Sequence, residues 1–258
     1  LTASLATSAL ALSNQSHAQA PAEKPREYYE IRKYHLQMGP QTKLTENYLS
    51  NALIPALNRL GIGPVGAFHL EIGPETPTLY LLLPSAKLET LVTAELQLAQ
   101  DEQFMKLAEP FWNAPATAPP FERVESSLHV AFEGYPKLTL PSASSSHSKR
   151  IFQLRIYESP TSQAYLRKVE MFHHGEFDIF QRSGCGPIFY SYTLIGPRMP
   201  NLAYMLSFTD IAELNARWEL FTNDPAWIKL KNSPRYAFEQ IVSNITNLVL
   251  SPTTYSQI

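Results

Sequence analysis

With 258 residues, 44% of them hydrophobic and 17% charged, the chain can bury a sizeable core in one large domain or two small ones. Its 21 Lys and Arg against 23 Asp and Glu leave a formal net charge of −2 and no dense basic stripe, which excludes the electrostatic footprint of nucleic-acid binding. Cys185 is the single cysteine, so an intrachain disulfide and a cysteine-cluster metal site are excluded too, and it reads as a small residue in a tight turn.

The chain opens on a mildly hydrophobic Ala/Leu run, LTASLATSALAL, too short to span a bilayer, followed by polar residues ending in Ala18-Gln19-Ala20. Residues 1–20 therefore read as the latter part of a secretory signal peptide, and the expected location is periplasmic or secreted after cleavage near Ala20. Residues 21–27 read as a spacer, and no later segment qualifies as a transmembrane helix. In a first domain, 28–132, strands are expected near residues 28–35, 64–72, 78–83 and 121–132, with helices near 42–60 and 86–100 and a short one after Asp101. The Ser- and Pro-rich residues 133–150 read as a linker.

The second domain, 151–258, is more legible. IFQLRIYE at 151–158 alternates Phe152, Leu154 and Ile156 with Gln153, Arg155 and Tyr157, the period of a two-faced strand. Ser159-Pro160-Thr161 starts a helix whose apolar Tyr165, Val169, Phe172, Phe177 and Phe180 recur until Gly184 ends it. PIFYSYTLIG and LAYMLSF are β-rich runs on either side of a proline-punctuated loop. Thr209-Asp210 caps a helix through Leu220, and Asp224-Pro225 caps a short third one. QIVSNITNLVL, 240–250, is expected to close the domain as a fourth strand.

The two halves repeat each other at a fixed offset of 123 residues. GIGPVGAFHLEIGP from Gly61 lies on GCGPIFYSYTLIGP from Gly184, Ile31-Arg32-Lys33-Tyr34 lies on Leu154-Arg155-Ile156-Tyr157, Arg59 on Arg182, and Asp101 on Asp224. Landmarks that stay in register across loops indicate a duplicated domain with the order β-α-β-β-α-β plus a short helix, the ferredoxin-like plan. The fold class expected is α+β, two tandem ferredoxin-like domains whose sheets cover each other within one chain.

FQLRIYE, YLRKVEMFHHGEFDIFQRSG, LIGPRMPNLAYMLSF and WELFTNDPAWIKL resemble the NIPSNAP family of the dimeric α/β-barrel superfamily, closely over residues 151–250 and more loosely over 28–132. The resemblance, to an exported bacterial-type member, implies a dimeric α/β-barrel architecture and no agreed catalytic residues. Superfamily relatives include cofactor-free monooxygenases and haem proteins, an analogy of fold alone.

Candidate site residues follow from strand alternation. If Leu154 and Ile156 face the helices, Arg155 and Tyr157 face the region where the sheets meet, as do Arg32 and Tyr34 on the duplicate strand. Tyr190 and Tyr192 share a face of the next strand, and Tyr204 joins from the third. A guanidinium among phenols could hold an anionic or aromatic small molecule. The competing and favoured role for Arg155 and Tyr157 is a strut between the halves. His173 and His174 read as surface or pocket-rim residues, because adjacent helical side chains diverge by about 100° and no metal-binding spacing accompanies them. No metal or cofactor is expected, haem on one of these two histidines being the exception left open. The function expected is non-catalytic binding of a small molecule or a protein. The alternative is a cofactor-independent monooxygenase- or isomerase-like enzyme acting in the barrel lumen. Homodimerisation is left open.

Overall fold

The computed structural model describes residues 25–146 and 148–258, so the expected signal segment and its cut near Ala20 lie outside the described residues. Among the described residues the β-branched and aromatic runs form eight strands: β1 (Tyr28–His35), β2 (Gly66–Ile72), β3 (Thr78–Ser85), β4 (Arg123–Ala131), β5 (Ile151–Glu158), β6 (Gly186–Ile195), β7 (Asn201–Phe208) and β8 (Asn244–Pro252). They pair antiparallel in the order β1-β3-β2-β8-β5-β7-β6-β4 and close into a barrel. The halves are joined at two seams, β2 with β8 and β4 with β6, so each half supplies the edges that the other lacks.

Helices cover the outside. In the first half, α1 (Pro40–Tyr48) runs through a π-turn, Leu49–Leu53, into α2 (Ile54–Arg59), followed by α3 (Leu88–Leu98) and α4 (Glu102–Trp112). The linker holds one short helix, α5 (Ser142–Ser146). In the second half, α6 (Ser162–Met171) runs through a π-turn, Phe172–Glu176, into α7 (Phe177–Arg182), followed by α8 (Ile211–Asn223), α9 (Pro225–Lys231) and α10 (Phe238–Ile241). Residues 240 and 241 are thus helical rather than the start of the last strand. Phe238, Ile241 and Val242 sit at helical spacing and pack into the same apolar cluster, which outweighs the local β-propensity.

The duplication extends to detail. The two π-turns stand at the 123-residue offset, as do Gly61 (φ 78°) and Gly184 (φ 71°), which stop the preceding helices in the left-handed region that a side chain would strain. Asp101 and Asp224 each cap a helix, accepting from the Phe104 and Ala226 amides, and each also pairs with the duplicated arginine, Arg59 or Arg182.

The strands' faces are opposite to the sequence expectation. Phe152 and Leu154 point into the barrel with Tyr29, Ile31, Phe68, Leu82, Phe189 and Met205, and the ring pairs Tyr29–Phe189 (5.1 Å) and Phe68–Phe152 (4.8 Å) join the two halves. Tyr34 lies in the helix-side core of the first half, while Tyr157, Tyr190 and Tyr204 lie in that of the second. Alternation reveals two faces without saying which one closes on itself. On β5 the lumen takes the apolar Phe152 and Leu154, whereas the helix side gives Gln153 and Arg155 the Trp218 indole as a partner.

Candidate functional site

Each half has the same frame, a barrel wall carrying an Arg-x-Tyr pair beneath a helix layer, and the two halves finish it differently. In the second half the space is filled. The Arg155 guanidinium lies over the rings of Trp218 (4.3 Å) and Tyr157 (5.3 Å), and the Trp218 indole N–H donates to Gln153 (2.7 Å). Tyr204 donates to the Tyr157 hydroxyl at 3.0 Å, and Tyr190 stacks against Tyr204 at 5.5 Å. Burial pushes the phenols of Tyr157, Tyr190 and Tyr204 up, so they stay neutral.

Under the π-turn, Lys168 and Glu176 form an ion pair at 2.5 Å with side chains 0% and 2% exposed. Rings of Phe172 (4.4 Å), Phe238 (5.2 Å), Tyr157 (5.3 Å) and Trp227 (5.7 Å) surround the ammonium. Burial pulls the Lys168 pKa down and pushes the Glu176 carboxyl up, so desolvation moves both toward their neutral forms. Sequence reasoning missed this pair. Lys168, Phe172 and Glu176 recur every fourth residue, the spacing of one helix face, and that was the signal available.

In the first half the frame stays open. A cavity of about 520 Å³ lies between the barrel wall, α1, α3 and α4, lined by Tyr34, Tyr48, Glu95, Phe111, Trp112 and Phe121. Tyr48 and Phe111 stack at 3.8 Å, Phe121 lies 5.6 Å from Phe111, and the Trp112 indole N–H donates to the Tyr48 hydroxyl at 3.3 Å. Arg32 sits beside this slot with its Nε and Nη2 on the carboxylate of Glu30 (2.8 and 3.2 Å) and its Nη1 on Glu95 (2.9 Å). The difference between halves is readable at the 123-residue offset. Ala67, Leu81, Leu57 and Leu98 stand where the second half has Tyr190, Tyr204, Phe180 and Phe221, and Glu95 stands where it has Trp218. After α4 the chain is a proline-rich loop with Pro115, Pro119 and Pro120, whereas the second half forms α10 and lays Phe238 against Tyr157 (6.1 Å).

The NIPSNAP family model matches twice, over residues 29–117 and 152–257, which is most of the chain and one match per half. The chain belongs to the NIPSNAP family. Among solved structures, this NIPSNAP chain is similar to a proposed monooxygenase of Lactobacillus acidophilus NCFM (TM-score 0.54, 9% identity, 88% of this chain and 94% of the other). A second proposed monooxygenase, from Fusobacterium nucleatum, has TM-score 0.51 at 7% identity over 88% of this chain and 92% of its own. A NIPSNAP-like domain protein of Burkholderia xenovorans is 21% identical over 43% of this chain and 90% of its own, with TM-score 0.38. At these identities the two longer likenesses speak for the fold alone. No curated protein is a significant match.

The structure brings the expected site residues together in two groups rather than one. Arg155, Tyr157, Tyr190 and Tyr204 share the sealed cluster, and Arg32 and Tyr34 belong to the open slot. Tyr192 lies at a third place, donating to Glu133 at 2.7 Å. In the second NIPSNAP half, His173 Nδ1–H donates to the Val169 carbonyl one turn back (3.0 Å) and its Nε2 accepts from the Gly134 amide at the start of the linker (3.1 Å), so both ring nitrogens are engaged and neither is free for haem iron. His174 is exposed, with Nδ1 on the Glu170 carbonyl. Glu170, one helical turn before His174, is gripped by both arms of Arg235 (2.6 Å each) and by the Tyr236 hydroxyl (2.6 Å), which hold its pKa down to about 2. Among the described residues no group of three or more His, Cys, Asp or Glu is placed to hold a metal. Cys185 is buried and its thiol is pushed up to about 12, a protonated and unreactive group. Among the described residues no helix is long and apolar enough to cross a membrane.

Proposed function

We propose that this NIPSNAP chain pairs two ferredoxin-like halves in the manner of a dimeric α/β barrel and, exported after cleavage near Ala20, binds an aromatic small molecule in the first-half slot. The second half, sealed by its own aromatics, is the structural counterpart of the binding half. The observation that carries this reading is the contrast between duplicates. One Arg-x-Tyr frame keeps a slot of about 520 Å³ walled by five aromatic rings, and the other is packed shut.

Charge narrows the ligand. Both carboxylates on Arg32 neutralise it and leave the slot's surroundings one negative charge in excess, so an anion finds no idle guanidinium there. A neutral or cationic aromatic suits the slot better, the cation gaining from ring faces as well as from Glu95. Catalysis is the weaker reading. Glu95 is committed to Arg32, and burial pushes the Tyr34 and Tyr48 phenols up, so the slot offers no poised acid or base.

Calorimetric titration with three phenols of similar size tests the proposal. Tyramine (cationic) and p-cresol (neutral) should each bind about tenfold or more tighter than 4-hydroxyphenylacetate, a difference of about 1.4 kcal/mol or more. Ala114→Trp, which fills the slot, should abolish all three. The reverse order of affinities, or binding indifferent to Ala114→Trp, would refute it.

A further inference from the structure

A polar cluster stands in the barrel lumen at the β4–β6 seam. His129, 2% exposed, lies on β4 opposite Tyr29 of β1 and shares the lumen face with Ala131. Across the seam it pairs with Thr193, at the point where the register shifts between Leu128 and His129. Hydrogen-bond accounting fixes its tautomer. Asn201 donates through Nδ2 to the Pro197 and Arg198 carbonyls (2.9 Å each), so its Oδ1 accepts from the Thr193 hydroxyl (2.5 Å), while the Ser191 hydroxyl donates to the Ala203 carbonyl (3.0 Å). Both hydroxyl protons are thereby used, and the hydrogen between His129 Nδ1 and the Ser191 and Thr193 oxygens (3.3 and 3.2 Å) belongs to the ring. Nε2 is left bare and accepts from the Ser127 hydroxyl (2.8 Å). The cluster thus holds a neutral imidazole on hydroxyl partners, two of them contributed by the other half.

A second proton on this ring would meet no countercharge. β1 faces it with Tyr29, whose phenol donates to Glu27 (3.2 Å), β6 with Ser191 and Thr193, and β7 with Asn201 and Ala203. The charged groups farther along these strands are engaged with one another: Glu125 and Glu75 with His35 (3.0 and 2.6 Å), Lys33 with Glu75 (3.8 Å), and Glu158 with Arg198 (3.2 Å). Among the described residues no carboxylate offsets the burial of His129, which by itself pulls the imidazole down to about 3. The β2–β8 seam carries no such group. Its lumen-facing pairs are Phe68 with Pro252 and Leu70 with Leu250, and His69 lies on the outer face, 41% exposed, beside Glu46.

We propose that His129 is an acid-operated latch on the β4–β6 seam, closed while the ring is neutral and opened when Nε2 takes a proton, with β2–β8 still holding the halves together. The direction is set by burial. A group whose folded pKa lies below its unfolded value of about 6.5 gives stability that is fully present above that value and is lost as pH falls toward the folded one. Hydrogen–deuterium exchange of the full chain, read by mass spectrometry, tests the latch against His129→Gln, which keeps a hydrogen-bonding amide and cannot titrate. Taking H129Q as reference at each pH cancels intrinsic exchange and the titration of the carboxylates. On that scale, exchange of peptides covering 123–131 and 186–195 should rise at least about tenfold from pH 7.5 to pH 5, and that of peptides covering 66–72 and 244–252 less than about twofold. Should H129Q not fold, the two seams of the parent are compared directly at each pH, and the β4–β6 peptides should gain the same tenfold on the β2–β8 peptides. An equal rise at both seams, no rise at β4–β6, or a folded H129Q that opens at acid pH as the parent does would each overturn the proposal.

Discussion

Replacing Lys168 with Met is expected to lower the stability of the protein by about 3–5 kcal/mol, the usual cost of leaving one member of a buried ion pair alone. At about 2–4 °C per kcal/mol for a chain of this size, that is a fall in Tm of roughly 6–20 °C by scanning calorimetry. The reason is the environment of Glu176, 1% exposed and facing the aromatic rings that surround the ammonium, with Arg155 the other cation whose field reaches it. The pH dependence has a definite sign. Burial raises the Glu176 pKa in the fold, and with its ammonium partner removed that rise is larger. A carboxyl whose folded pKa is raised gives stability that is fully present below the unfolded pKa of about 4.3 and is lost as pH rises through the folded value. K168M should therefore be less destabilised relative to the parent at pH 5 than at pH 8. K168M/E176L should recover most of the loss, since similarly sized apolar replacements of a buried pair are commonly neutral or better. A K168M variant within about 0.5 kcal/mol of the parent at pH 8 would mean that the pair is solvated and the second half is not sealed.

The second large effect is expected at the barrel's centre. Phe152→Ala should cost about 3–5 kcal/mol in urea unfolding, because the ring is fully buried and packs edge-to-face on Phe68 of the other half at 4.8 Å. Its loss leaves a void where two sheets share one core, and the barrel has few ways to collapse around it. The same variant should leave tyramine affinity unchanged, because the lumen and the slot lie on opposite faces of the wall. A cost below about 1 kcal/mol, or a collapse of tyramine binding, would return the site to the lumen.

Much of this was legible before any coordinates. The fixed 123-residue offset gives the duplication, and IFQLRIYE, Asp224-Pro225 and Gly184 give a strand, a helix start and a helix stop close to where they occur. The error over faces has a physical origin. Alternation in Gln153-Leu154-Arg155-Ile156-Tyr157 reports two environments, and both faces of this wall are covered, so polarity could not tell lumen from helix layer. Helix-like spacing in 162–182 hid the π-turn, because one extra residue in a turn leaves the apolar pattern nearly intact. The slot was missed because its residues come from four separate stretches, Tyr34, Tyr48, Glu95 and Phe111 to Val124, and proximity across such distances is set by topology. One local clue stood in the sequence. Residues 115–120 contain three prolines where the other half has helix-forming residues around Phe238.

The three tryptophans divide the molecule in the way needed for the decisive measurement: Trp112 lines the open slot, and Trp218 and Trp227 lie in the sealed cluster. Fluorine NMR of 5-fluorotryptophan-labelled protein, with the Trp112 line assigned by Trp112→Phe, would be followed during a tyramine titration. Saturable movement of the Trp112 line with Trp218 and Trp227 stationary is the predicted result. Movement of Trp218 or Trp227 while Trp112 stays in place would contradict the assignment of the open slot as the binding site and of the second half as its closed counterpart.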